Sequence, residues 1–410
     1  MQSTRATIHL TVFFTGILLT MTGFLFSRAL LSIGTFTLIA NGFLQGDLKE
    51  RWNVFLQHKV LIGISCLFFF PLLSGLWSED KTEWLNVLLN KLPLLMLPFA
   101  LVMQKGFDRK QFVFFSLLWI GLLFGGTVWS MVQYLQQKDE YDLLYRFSKT
   151  IPTIADNDHI RFSMAVIISM LLWLKLEEWK AISSSALLWG MRVVIIWFVL
   201  FLHILGAKTG LLGLYFIIVP VTLWQMYTSG KKQLAVASLF IAMLLPVLAY
   251  QLLPTFKMRV HYALYDRENR IAGNVSGGFS DGNRVLSIRS GMYVFQQNWL
   301  TGVGYGDIKK ETNQWYNEYA PAVPASERFL PLNQWMTSGS GAGIAAMLLF
   351  SIVIVLPFFS AQWRRNKQAI AFVMFMNIVF LYECTIDDQF GVYLYSFFIL
   401  YWHLSNRMKS

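Results

Sequence analysis

Charge is what this sequence has least of. Only 14% of its 410 residues are Asp, Glu, Lys or Arg, where a soluble domain carries roughly 25%. Hydrophobic residues make up 55%, and a soluble core cannot absorb that much apolar surface while leaving so few charges outside. Cysteine is nearly absent. Cys66 and Cys384 both fall in or beside apolar segments and read as small buried hydrophobes, not as a disulfide or a metal pair. The familiar catalytic signatures are missing too: there is no HExxH, no Walker loop, no Ser-His-Asp arrangement, and no Asp-x-Asp pair convincing as a metal site. The ten-residue alternation of a membrane β-barrel is likewise lacking.

What the sequence does have is continuous apolar runs of about 18–22 residues, the length that spans a bilayer core of roughly 30 Å. These predict an all-α polytopic membrane protein of about twelve transmembrane helices, at 7–26, 29–46, 59–77, 85–103, 111–135, 160–176, 186–206, 209–228, 233–253, 334–359, 368–386 and 390–406. The first run is too long for the apolar region of a leader peptide, and no Ala-x-Ala site follows it. It therefore reads as a span.

The net charge of +11 would suggest nucleic acid in a soluble protein. Here it sets topology, because Lys and Arg concentrate in cytoplasmic loops. With the N-terminus inside, those loops hold Lys49, Arg51 and Lys59; Lys105, Arg109 and Lys110; Lys231 and Lys232; and Arg364, Arg365 and Lys367, with Arg407 and Lys409 in the tail. The opposite loops hold Glu79, Asp80 and Glu83; Asp139, Glu140 and Asp142; and Asp387 and Asp388. Both termini are expected in the cytoplasm. Two polar segments interrupt the apolar rhythm on the outside, at 136–159 and at 254–332. The chain thus divides into nine spans (1–253), a large, partly helical periplasmic loop (254–333), and three spans with a tail (334–410). Loops this long are functional or disordered, and the loop's Trp299, Tyr305, Trp315, Tyr316 and Tyr319 argue for order. No internal repeat is visible, which weighs against a secondary transporter.

Ionisable residues at span ends are the candidates for chemistry, because charge is expensive there. Lys208 lies at the outer junction of the seventh and eighth spans, as a functional cation or one snorkelling to the interface. Arg161 opens the sixth span, as an interface anchor or a ligand for an anionic head group. Glu383, Asp387 and Asp388 close the eleventh, as ordinary loop carboxylates or partners for the arginines. Lys91 and Arg192 are expected to face protein or the inner interface. In the large loop, Arg284 and Arg289 fall in a stretch with helical spacing, Arg284 opening the helix. Val285, Ile288, Met292 and Phe295 form its apolar stripe. Arginine suits phosphate because its rigid fork stays charged and binds oxygens bidentately. Gly302, Gly304 and Gly306 lack the strand and helix of a dinucleotide site. They read as a tight turn bringing backbone close to a ligand or to the membrane helices. Outward-facing cations without metal ligands point to a phosphate or pyrophosphate substrate. No nucleotide reaches that side, so a lipid-linked diphosphate is the natural candidate.

Five stretches resemble the O-antigen ligase / O-antigen polymerase superfamily. They are Ser74-Gly-Leu-Trp-Ser78, Asp158-His-Ile-Arg-Phe-Ser163, Gly206-Ala-Lys-Thr-Gly-Leu-Leu212, Arg284 through Asp307 with its Gly-x-Gly-x-Gly, and Asn333-Gln-Trp-Met-Thr-Ser-Gly-Ser-Gly341. The resemblance implies a metal-independent glycosyltransferase of the bacterial inner membrane with no cofactor and a periplasmic active site. Its donor would be an undecaprenyl-diphosphate-linked glycan, and its acceptor a glycan or lipid A-core hydroxyl, as in lipopolysaccharide and polysaccharide biosynthesis. Membrane lipids would be the other partners, and nucleic acid would not. Arg284 and Arg289 would be catalytic, with Arg161, Lys208, Asn333 and Gln334 holding the diphosphate. One departure stands out. Family ligases carry a histidine just before that Asn, and here the position is Leu332, which cannot take a proton. His159, Asp281 and Glu383 are the remaining candidates for a base. The resemblance extends to ligases and polymerases, which share a donor and differ in acceptor. The alternatives from other classes are a transporter or flippase for lipid-linked glycans, with charges along a midplane path, and a non-catalytic assembly scaffold.

Overall fold

The structure is a computed structural model, and it describes residues 2–104, 106–147, 149–155, 157–271 and 280–408. Lys105 and Lys409, used above for orientation, and residues 272–279 of the loop lie outside them. The described residues are helical, with no strand among them. The first half comprises α1 (Gln2–Phe26), α2 (Arg28–Leu44), α3 (Leu48–Leu56), α4 (Lys59–Cys66), α5 (Phe69–Ser74), α6 (Lys81–Leu101), α7 (Arg109–Gln136), the short α8 (Lys138–Leu144), α9 (His159–Glu178) and α10 (Ser185–Leu205). Then α11 (Lys208–Gly213) runs through a π-helical turn into α12 (Val219–Thr228), followed by α13 (Lys232–Leu252). The large loop supplies α14 (Pro254–Ile271), α15 (Ser280–Gln297) and α16 (Ile308–Tyr319), and the chain closes with α17 (Gln334–Phe359), α18 (Ala361–Arg364), α19 (Lys367–Phe380) and α20 (Gln389–Ser405).

Among the described residues, eight helices are long and apolar enough to cross a membrane. The other four apolar stretches are helical but shorter: α2 and α20 have 17 residues each, α19 has 14, and α4 and α5 share the 59–74 stretch. The reason is clearest at α19. Its helix stops at Phe380, and 381–388 unwinds to place Glu383, Asp387 and Asp388 against cations. Such irregular backbone is tolerated near a membrane where protein surrounds it. α9 and α20 form the middle of the bundle. The apolar window of α9 is 83% buried, that of α13 only 11%, and a helix apolar on all sides is stable in the centre of a packed bundle or against lipid.

Polar contacts gather at the two ends of this bundle. At one end, cations cap helix C-termini, where unpaired carbonyls carry partial negative charge. Arg51 is buried and donates to the carbonyls of Gln45 (2.7 Å), Phe99 (3.4 Å) and Ala100. Arg407 donates to Val102 O at 2.8 Å, and Arg109 to Trp179 O. The large loop packs on the other end.

The Gly302–Gly306 turn ties that loop down. α17 is broken at Ala342 and Gly343, the latter at φ 73°, and the break frees backbone groups that must find partners. The turn supplies them: Val303 N donates to Ser340 O (2.8 Å), Gly304 N to Gly341 O (3.0 Å), and Ile344 N to Trp299 O (2.8 Å). On its other side Tyr305 N and Gly306 N donate to the hydroxyls of Ser74 (3.2 Å) and Ser78 (3.3 Å). Gly304 sits at φ 94°, and a Cβ there would meet Ser78 Oγ at 2.2 Å, so position and conformation both demand glycine.

One expectation about α15 is corrected. The helix begins at Ser280, so Arg284 lies in its second turn and does not open it. Its buried residues are Asn283, Leu286, Ser287, Ser290, Gly291 and Val294, while Val285, Ile288 and Phe295 of the apolar stripe are half-buried and Met292 is 47% exposed. Small residues let α15 approach the start of α17 closely. A Cβ on Gly291 would meet Pro331 at 2.6 Å, and Ser340 Oγ donates to Gly291 O at 2.9 Å.

Candidate functional site

The N-termini of α9, α11, α15, α17 and α20 and the unwound 381–388 segment converge at the loop-bearing end. Asp158 caps α9 by accepting from Arg161 N at 3.0 Å. The Arg161 guanidinium turns back to Asp158 (3.5 Å) and across to Asp388. Asp388 in turn caps α20 by accepting from Gly391 N at 3.0 Å. Burial pushes the Asp388 carboxyl above the usual carboxylate range, against the pull of Arg161 and the Gly391 N–H. Gly206, at φ 62°, ends α10 and lets α11 start at Lys208, whose ammonium pairs with Asp281. Asp266 of α14 caps α15, accepting from Asp281 N (2.6 Å) and Gly282 N (3.2 Å).

Arg284 reaches from α15 to Glu383 at 2.6 Å and donates to Tyr382 O from the same nitrogen. Its guanidinium lies 5.8 Å from the Tyr382 ring centroid. Asn333 caps α17 through Met336 N (3.0 Å) and donates to Leu381 O (2.8 Å). Gln334 grips the same segment twice, donating to Asp387 (2.6 Å) and accepting from Ile386 N (3.0 Å). Beneath them Lys91 pairs with Asp387 at 2.6 Å, with side chains 2% and 6% exposed. It also donates to Ile386 O at 2.6 Å. His159 opens α9 between its Asp158 cap and Arg161. Arg259 donates to Gly206 O at 3.3 Å, and burial pulls its guanidinium below the usual arginine value.

Of the residues singled out by sequence, Arg161, Lys208, Arg284, Asn333, Gln334, His159, Asp281 and Glu383 therefore share one neighbourhood. Arg289 does not join them. It is exposed, about 140° round α15 from Arg284, and has no ion pair among the described residues. The Gly302–Gly306 turn packs the break in α17, eight residues and about 12 Å along the helix from Gln334. Leu332 donates its N–H to Ser287 Oγ at 3.2 Å. Arg192 lies elsewhere, 3.4 Å from Glu177.

Sequence reasoning missed Arg259 and Asp266. Both sit in α14, whose many charges of either sign give no pattern to single one out. For Lys91 the signal was present, as a lone cation in an apolar run.

Chemically, the site is a ring of cations, most already paired with a carboxylate. An anionic ligand would exchange for those carboxylates, with little desolvation left to overcome. Among the described residues no group of three or more His, Cys, Asp or Glu could hold a metal ion. No family model matches this chain, and no curated protein matches it.

Proposed function

We propose that the chain transfers a glycan from a lipid-linked diphosphate to an acceptor hydroxyl at the periplasmic face of the bacterial inner membrane. The observation that carries this is the set of cations held at one end of the bundle, Arg161 against Asp388, Arg284 against Glu383 at 2.6 Å and Lys208 against Asp281. When an acceptor oxygen attacks the anomeric carbon, the diphosphate departs with the bonding electrons, and fixed cations stabilise the charge that develops there. The five motifs add to this. Four of them contribute residues to the cation ring or its α17 rim, and the Ser74–Ser78 stretch braces the glycine turn.

In this reading all twelve apolar stretches cross or enter the membrane. The end where Arg51, Arg109 and Arg407 cap helices is cytoplasmic by the excess of Lys and Arg there, and both termini lie on that side. A second reading, a non-catalytic assembly scaffold, draws support from the Lys208–Asp281, Arg161–Asp388 and Arg284–Glu383 pairs, which would equally serve to lock the loop onto the bundle. Deleting the gene separates the two readings when the deletion is complemented by an Arg284→Lys variant. A transferase loses surface polysaccharide length or attachment in the deletion and does not regain it with the variant. A scaffold regains it, because the lysine keeps the ion pair. A deletion strain with unchanged surface polysaccharide counts against both.

A further inference from the structure

We infer that Glu383 is the general base of the proposed transfer, kept covered by Arg284 until a bound diphosphate draws that guanidinium away; the assignment rests on the transferase reading above. At the start of α17, Leu332 offers no proton acceptor. That start is stitched to the 381–388 segment by Asn333 to Leu381 O (2.8 Å) and Ile386 N to Gln334 (3.0 Å). Glu383 is the carboxylate in that segment that touches Arg284, at 2.6 Å, and its side chain is 2% exposed. The other carboxylates of the segment are committed elsewhere, Asp387 to Lys91 and Gln334, and Asp388 to Arg161 and the cap of α20. Asp281 is held by Lys208 on the outer rim. His159 opens α9 beside its Asp158 cap and has no hydrogen bond to Arg284 among the described residues.

Arg284 is built to couple donor and base. Its NH1 serves both Glu383 and Tyr382 O, while Nε and NH2 make no hydrogen bond among the described residues, and the side chain is 23% exposed. The open edge is the landing point for phosphate oxygens, which arginine binds in pairs. As the diphosphate draws the guanidinium over, the hold on Glu383 loosens and the carboxylate is uncovered. The acceptor O–H proton then passes to Glu383. The acceptor oxygen bonds to the anomeric carbon, and the bond from that carbon to the diphosphate oxygen breaks with its electron pair on the lipid diphosphate. Without donor the base stays covered.

The test uses purified full-length protein, the lipid-diphosphate-linked glycan extracted from its own cells, and two nucleophiles: the acceptor hydroxyl and azide, which carries no proton to remove. Glu383→Gln is expected to lose about 10²–10⁴-fold of hydroxyl transfer, the usual worth of a general base. It should keep glycosyl azide formation within about tenfold of wild type and bind donor as wild type does. Glu383→Asp should recover part of the hydroxyl transfer. Equal loss with both nucleophiles, or hydroxyl transfer by Glu383→Gln within tenfold of wild type, overturns the assignment. Wild-type protein that makes no product with either nucleophile overturns the transferase reading itself, and the assignment with it.

Discussion

Replacing Arg284 with Lys is expected to cut glycosyl transfer by about 10²–10³-fold, the cost of removing one preorganised donor from a developing oxyanion, at unchanged expression. Lysine keeps the positive charge. What it loses is the fork, one edge of which holds Glu383 and Tyr382 O while the other is open. A point charge cannot hold the base and the leaving group together. The comparison is Arg289→Lys, five residues along the same helix. That side chain is exposed and has no ion pair among the described residues, so transfer should stay within about threefold of wild type, the range of an ordinary surface change. The readout is initial rate per milligram of monodisperse protein in detergent. An Arg284→Ala variant that forms product at near-normal rates would remove the active site from this loop.

The second large effect concerns stability. Lys91→Met should destabilise the protein by roughly 3–5 kcal/mol, because it strips the cation from a buried pair and leaves the Asp387 charge uncompensated. Lys91 and Asp387 are 2% and 6% exposed, and among the described side chains Asp387 would retain the Gln334 amide (2.6 Å). The pair joins α6 to the 381–388 segment, so its loss should also loosen the gripping of that segment by Gln334. Thermal inactivation in detergent measures this as a shortened half-life. Adding Asp387→Asn should return most of the lost stability, since the neutral amide needs no counter-ion. A single Lys91→Met protein as heat-resistant as wild type would mean that the pair is not buried from solvent.

The helices were legible because apolar length is a direct physical requirement of spanning lipid, and it is written locally in the chain. The cation ring was legible only in part. Arg161, Lys208 and Arg284 announce themselves as charges beside apolar runs, but their partners come from far along the chain. Arg284 and Glu383 are 99 residues apart, and Lys91 and Ile386 are 295 apart. No periodicity carries that pairing. The start of α15 was not legible either, because its cap, Asp266, comes from α14. The buried side of α15 is mixed, with Leu286 packed against Trp315, Tyr316, Ala320 and Val323 while Gly291 O accepts from Ser340 Oγ of α17, and no single periodicity carries both. The glycine turn shows a third limit. Its spacing suggests close backbone approach, but the break in α17 that it fills, at Ala342 and Gly343, leaves no trace in hydropathy.

The most direct measurement reconstitutes the purified protein in vesicles with the native lipid-diphosphate-linked glycan and an acceptor, and follows the glycosidic bond. A transferase yields glycan joined to lipid A-core, or a longer lipid-linked chain, with free lipid diphosphate released in equal amount and product abolished by Arg284→Ala. Movement of the lipid-linked glycan across the vesicle membrane with no new glycosidic bond would contradict that function and make the protein a transporter.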